Sequence, residues 1–177
     1  MIKKIVALIL IVMFSACEKK QSNTNDLKDA SEKEAVNMML DAWHKSASET
    51  KYDAYFNAMS NTSVFIGTDA SENWGNKDFK VFSKPFFDLG KAWDFKPLKR
   101  HVYISDDGNF AWFDELLDTW MGVCRGSGVL SKTEDTWKIE HYVLSVTVPN
   151  ENITEVINIK KEKDSIFLFK LKSKETD

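Results

Sequence analysis

Apolar positions along this chain change their period as the chain proceeds. Val36, Met39, Leu40, Trp43 and Ala47 recur at helical spacing behind Ser31 and Glu34, which have the form of a capping box, so a helix over 32–48 is expected. Tyr52, Tyr55, Phe56 and Met59 repeat the pattern and predict a second, short helix. Ser63-Val-Phe-Ile-Gly-Thr68 reads as a strand opening into the polar loop Thr68 to Glu72. Phe79, Phe82 and Phe86 suggest a third helix, which Pro85 must bend or end. After Lys91 the period becomes two. Leu98, Arg100, Val102 and Ile104 alternate with exposed positions, and strands follow over 110–120, 123–131 and 137–148, closed by Pro149. Between them Asp106-Asp107-Gly108-Asn109 is a hairpin turn, since it lacks the ligand spacing and terminal glutamate of a calcium loop. Beyond Asn150 the pattern weakens. Ile153, Val156 and Ile157 would seed a short helix, and 165–171 is apolar enough to pack against the domain. Helices first and long strands afterwards predict an α+β fold, one curved antiparallel sheet wrapped around about three N-terminal helices.

The first residues follow a different logic. Met1-Ile-Lys-Lys is a basic start, and Ile5 to Phe14 is an apolar run too short to span a bilayer as a helix but suited to secretion. Phe14-Ser-Ala-Cys17 resembles the lipobox of bacterial lipoproteins, in which small residues precede a cysteine that carries lipid as a thioether. The expected organisation is a signal peptide over 1–16, a lipid anchor at Cys17 with a polar tether to residue 30, a domain over 31–150 and an extension over 151–177. Glu18 after the cysteine, by resemblance to Gram-negative lipoproteins, favours the outer membrane, facing the periplasm. With Cys17 lipidated, Cys124 has no partner for an intramolecular disulfide and reads as buried filler.

Composition narrows the function classes. Of 177 residues 43% are apolar and 29% charged, which suits one domain with an ordinary core. The formal charge of -3 falls to about -5 without Lys3 and Lys4, and no basic stripe appears, so nucleic acid is not an expected partner. No pair of histidines has metal-ligand spacing, and no cofactor is expected.

The order of elements, with Phe65-Ile-Gly-Thr-Asp69, Ala111-Trp-Phe-Asp114, Cys124-Arg-Gly-Ser-Gly-Val-Leu130 and Trp137-Lys-Ile-Glu-His141 followed by Leu144-Ser145, resembles the SnoaL-like branch of the nuclear transport factor 2-like superfamily over roughly residues 32–150. The resemblance implies a cone-shaped fold, a pocket between sheet and helices, and frequent homodimers. It implies no single activity, because the superfamily includes isomerases, cyclases, dehydratases and non-catalytic binding or association domains.

Candidate chemistry comes from strand alternation. A turn at Met121-Gly122 sets Asp118 opposite Arg125. A three-residue loop, Thr133 to Asp135, sets Ser127 opposite His141 and avoids placing Glu134 at positive φ. One face then carries Asp114, Asp118, Arg125, Ser127 and His141 among Trp112, Trp137 and Ile139. The expected ligand site is Trp43, Tyr55, Trp74, Trp112, Asp114, Arg125, Ser127 and His141, with Arg125 fixing an anionic or carbonyl group of an unknown small molecule. Asp114 and His141 are the candidates to move a proton if the domain is an enzyme. His44 and His101 read as surface or rim residues. The alternating set Phe113, Leu117, Leu130, Tyr142, Leu144 and Val146 would lie on the outer face and be covered by a second copy or by the C-terminal segment.

Overall fold

The computed structural model describes residues 24–174; the expected signal peptide, the Cys17 lipidation site and the first part of the tether lie outside them. Helices α1 (Thr24–Ser48) and α2 (Tyr52–Asn57) come first, then β1 (Met59–Ile66), the short β2 (Asn73–Gly75) and α3 (Asn76–Asp88). Strands β3 (Lys96–Ile104), β4 (Phe110–Thr119), β5 (Gly122–Thr133) and β6 (Thr136–Val146) follow, and α4 (Ile153–Lys174) ends the described chain. Helix α1 begins well before Ser31, which is therefore inside the helix and not its cap. Pro85 sits in the last turn of α3 and does not stop it.

The six strands run in the order β2-β1-β6-β5-β4-β3. The expected antiparallel meander holds for β3 to β6, but β1 lies parallel to β6, so the sheet is mixed. Helices α1 to α3 cover its inner face. Val36, Leu40, Trp43 and Ala47 of α1 are buried there with Tyr55, Phe56, Phe79 and Phe87. Each side chain of this size contributes about 1.5–3 kcal/mol by leaving water. Glu32 fastens α1 to the last hairpin, accepting from Lys132 Nζ at 2.7 Å and from the Trp137 indole at 3.1 Å.

Two register details decide which side chains face inward. The β5–β6 loop is a two-residue turn, Glu134-Asp135, closed by the pair Thr133 and Thr136. Both turn residues adopt positive φ, 49° and 62°, the twist that a two-residue hairpin demands. The cost that argued for a longer loop is thus met by the chain. Farther along, Leu130 pairs with Ile139 but Val129 pairs with His141, so β6 bulges at Glu140. The Glu140 carboxylate pins this bulge by accepting from Ser131 at 2.6 Å and Ser60 at 2.5 Å. The bulge reverses the parity of β6: Trp137 and Ile139 point inward before it, Tyr142 and Leu144 after it.

The two inward glycines of Arg-Gly-Ser-Gly-Val-Leu now have a reason. A Cβ on Gly128 would lie 2.5 Å from the His141 carbonyl oxygen, the backbone of the bulge, and 2.7 Å from the Phe113 ring. A Cβ on Gly126 would lie 2.3 Å from the Tyr142 hydroxyl oxygen.

The C-terminal segment departs from expectation. Helix α4 is one 22-residue helix, not a short one. Ile166, Leu168, Phe169 and Leu171 are exposed, so this stretch does not pack onto the domain. No described helix is long and apolar enough to cross a membrane.

Candidate functional site

The structure separates the residues that strand alternation was expected to bring together. Asp114 pairs with Ser127, Trp112 with Val129, and Val129 with His141, so these side chains share a face with Arg125. That face is the outer one. Burial along β4 alternates with Ala111, Phe113, Glu115, Leu117 and Thr119 inside, and with Trp112, Asp114 and Asp118 at the surface. Phe113, Leu117, Leu130, Tyr142 and Leu144, expected outside, form the core, and only Val146 of that set is exposed. The expected phase is therefore inverted, for an ordinary physical reason: the charged set went out to water and the apolar set went in. The register also shifts, setting Arg125 opposite Leu116 and Ser127 opposite Val143. Trp43, Tyr55 and Trp74 lie on the helix side of the sheet, so they do not meet Trp112, Asp114, Arg125, Ser127 and His141 in one cavity. On the outer face Asp114 pairs with His101 at 3.0 Å, and Tyr103 stacks on Trp112 at 5.7 Å. Arg125, Ser127 and His141 make no side-chain hydrogen bond among the described residues.

A different polar cluster occupies the interior. Glu115, on the inward phase of β4, is 1% exposed. Its Oε1 lies 2.8 Å from His44 Nε2 and accepts from the Tyr142 hydroxyl at 3.0 Å, while Oε2 accepts from Arg100 Nε at 2.8 Å. Arg100 Nη1 donates to Asp41 at 2.8 Å, which ties β3 to α1. Burial pushes the Glu115 carboxyl up, but the hydrogen bond and charge of His44, followed by those of Arg100, outweigh it and hold the group below the usual glutamate value. Burial, reinforced by the Glu115 charge, pushes the Tyr142 phenol well above its usual range, so it remains a donor. His44, read as a rim residue, is buried. The signal for this cluster was in the chain: Glu115 falls between Phe113 and Leu117 in phase, and His44 falls four residues after Leu40 on the apolar stripe of α1.

Both oxygens of Glu115 are engaged, and the described cavities lie elsewhere. A cleft of about 590 Å³ opens at the rim of the sheet, between α3, the 91–96 segment and the β4–β5 turn. Its walls are Phe82, Phe86, Trp93 and Trp120, with Lys91, Asp94, Lys96, Asp118 and Thr119 around them. A second cavity of about 170 Å³ shares Phe82, Trp93 and Trp120 with it and reaches inward to Phe65, Trp74, Phe79 and Phe95. Thr68 and Glu72 stand beside it, so the loop after β1 borders this cavity. Tyr55 is buried behind Trp93, ring centroids 5.6 Å apart, and its hydroxyl sits near that indole without a well-formed hydrogen bond. Among the described residues no group of three or more His, Cys, Asp or Glu is placed to hold a metal ion.

The SnoaL-like domain family matches residues 36–149. The chain belongs to this family, and its fold is that of solved nuclear transport factor 2-like proteins. Among solved structures, it is similar to a nuclear transport factor 2-like protein of unknown function from Pseudomonas putida, at 11% identity and TM-score 0.58, covering 70% of this chain and 92% of that one. A protein of unknown function from Pectobacterium atrosepticum matches at 13% identity and TM-score 0.57, covering 68% and 94%. A protein of unknown function from Mycobacterium tuberculosis matches at 10% identity and TM-score 0.59, covering 73% and 79%. At these identities the likeness is one of fold. None of the curated proteins compared with the chain matches it.

Proposed function

We propose that this protein is a small-molecule-binding domain of the cell envelope, held to the membrane by lipid on Cys17, with its ligand in the rim cleft. The observation that carries the reading is the pair of adjoining cavities, about 590 and 170 Å³, walled jointly by Phe82, Trp93 and Trp120. Apolar walls with a few polar groups and a volume of several hundred Å³ are the usual form of a ligand site. Neither Glu115 nor Asp114, the carboxylates with a histidine partner, faces either cavity, and the acids that do, Asp94, Asp118 and Glu72, serve there as polar groups of a binding rim. The buried one, Glu115, is committed to His44, Arg100 and Tyr142, and Asp114 is paired with His101 on the outer face, away from both cavities.

The outer face supports a second element of the proposal, a homodimer. Tyr103, Phe110, Trp112 and Val129 are exposed on it. A second copy would cover them, with Arg125, Ser127 and His141 as contact residues and not as ligand contacts.

Native mass spectrometry of the full chain purified from its own host in detergent tests these elements together. The expected spectrum shows an N-terminus starting at Cys17 with an acyl mass, a dimer, and an additional non-lipid mass that Phe82→Ala removes. A chain that retains residues 1–16 or carries no acyl mass contradicts the anchor. A monomer at micromolar concentration contradicts the dimer, and the lack of any ligand mass contradicts the binding reading.

A further inference from the structure

We propose that the rim cleft selects a flat aromatic ring, carried by an uncharged or zwitterionic compound and clamped between Phe82 and Trp120; this rests on the cleft being the ligand site. The rings lining the inner cavity are close to parallel. Phe65 stacks on Phe79 with centroids 4.1 Å apart and planes at 14°, and Trp74 stacks on Phe82 at 4.4 Å and 22°. The planes of Phe79 and Phe82 differ by 17° with centroids 6.5 Å apart, so the core and rim rings share nearly one orientation. This set of near-parallel rings runs from Phe65 and Phe79, which are buried, to Phe82, which is 40% exposed and lines both cavities. A flat ring placed on the exposed Phe82 continues this set, with the offset stacking that aromatic pairs favour.

Trp120 supplies the other jaw. It stands on the two-residue turn between β4 and β5, whose last pair is Thr119 with Gly122. Its side chain is 82% exposed, yet it lines both cavities and contacts no other ring among the described residues. An indole held in water at a cavity mouth gains most by burial against a ligand. The size of the inner cavity agrees, since about 150 Å³ accommodates a benzene ring and this one measures about 170 Å³.

Charge sets the remaining part of the class. Lys91 and Lys96 face Asp94 and Asp118 around the cleft, two of each sign, and Lys96 is 3.7 Å from Asp94. Such a rim exerts no net pull on a strongly charged ligand and offers donors and acceptors to a hydroxyl, amide or zwitterion.

The test is calorimetric titration of the full chain, in detergent, with 2-naphthol and with decahydro-2-naphthol, which share a carbon skeleton and differ in flatness. The expected result is saturable binding of 2-naphthol at least tenfold tighter than the puckered compound and unchanged in 0.5 M salt. Phe82→Ala and Trp120→Ala should each weaken it by about fivefold or more, with thermal melting confirming that both variants fold. Equal affinity for the two compounds, with sensitivity to both variants, overturns the flat-ring selection and leaves the cleft as the ligand site. Binding of 2-naphthoate or of 2-naphthylmethylammonium tighter than that of 2-naphthol overturns the uncharged class. Failure of 2-naphthol to bind, or binding that neither variant weakens, overturns the proposal; the binding reading then stands or falls on the mass of the co-purified ligand.

Discussion

Glu115→Ala is expected to destabilise the protein by about 3–5 kcal/mol, the cost of leaving buried charge partners uncompensated. The substitution strips His44, Arg100 and Tyr142 of a shared acceptor in a place where water does not reach. Glu115→Gln keeps the shape but loses the charge, so its deficit depends on pH. The folded carboxyl lies below the ordinary value of 4.5, and the stabilisation it provides is complete above that value and disappears as pH falls through the folded value. Wild type should therefore exceed the Gln variant in stability at neutral pH, with the gap closing below pH 4.5. Urea unfolding of both proteins across that range measures it. A Glu115→Ala variant within 1 kcal/mol of wild type, or a gap that widens in acid, contradicts the assignment.

Gly128→Ala should cost about 1–3 kcal/mol or more, as overpacking does when the obstacle cannot move aside. The new methyl group meets the His141 carbonyl oxygen at 2.5 Å, which is backbone, and the edge of the Phe113 ring. Relief requires the β6 bulge to shift, and the bulge is what turns Tyr142 toward Glu115. Ser127→Ala, on the neighbouring outward position, should be nearly silent. Thermal melts of the two variants side by side check the claim. If the Ser127 change is the more damaging, the inward and outward phases of β5 have been exchanged.

The elements were legible because their apolar periods were long and clean: the aromatic repeat of α2 and α3 and the alternation of β3 to β6 each lie within a few residues of the structure, while α1 ends where its stripe does but starts at Thr24, well before the expected cap at Ser31. Lipidation at Cys17 and the leader lie outside the described residues, so the structure leaves that expectation where the sequence put it. The facing of the sheet is not legible from alternation alone, because polar residues among aromatics have the same period on a pocket wall as on a solvated face. Burial sorts residues by how many of their neighbours are satisfied, and Asp114, Arg125 and His141 are cheaper at the surface. Glu115 is the exception that needed three partners, contributed by α1, β3 and β6; its phase with Phe113 and Leu117 marks it as inward, but no local pattern names the partners. The bulge at Glu140 was visible only as a change of apolar parity, from Trp137 and Ile139 to Tyr142 and Leu144. Missing it joined His141 to the wrong neighbours. The rim cleft was harder still, since Phe82, Trp93 and Trp120 come from three separate segments. The first two sit in a helix and a connecting segment, and Trp120 in a turn that alternation rules do not reach.

A crystal structure of the full chain purified from its own host, without added ligand, bears most directly on the central claim that the ligand sits at the rim and not in the cone. The account predicts density between Phe82, Trp93 and Trp120, with Glu115 still within hydrogen-bond distance of His44 and Arg100. Density lying against Glu115, with His44 or Tyr142 swung away to admit it, would contradict the account and restore the interior carboxylate as the working group.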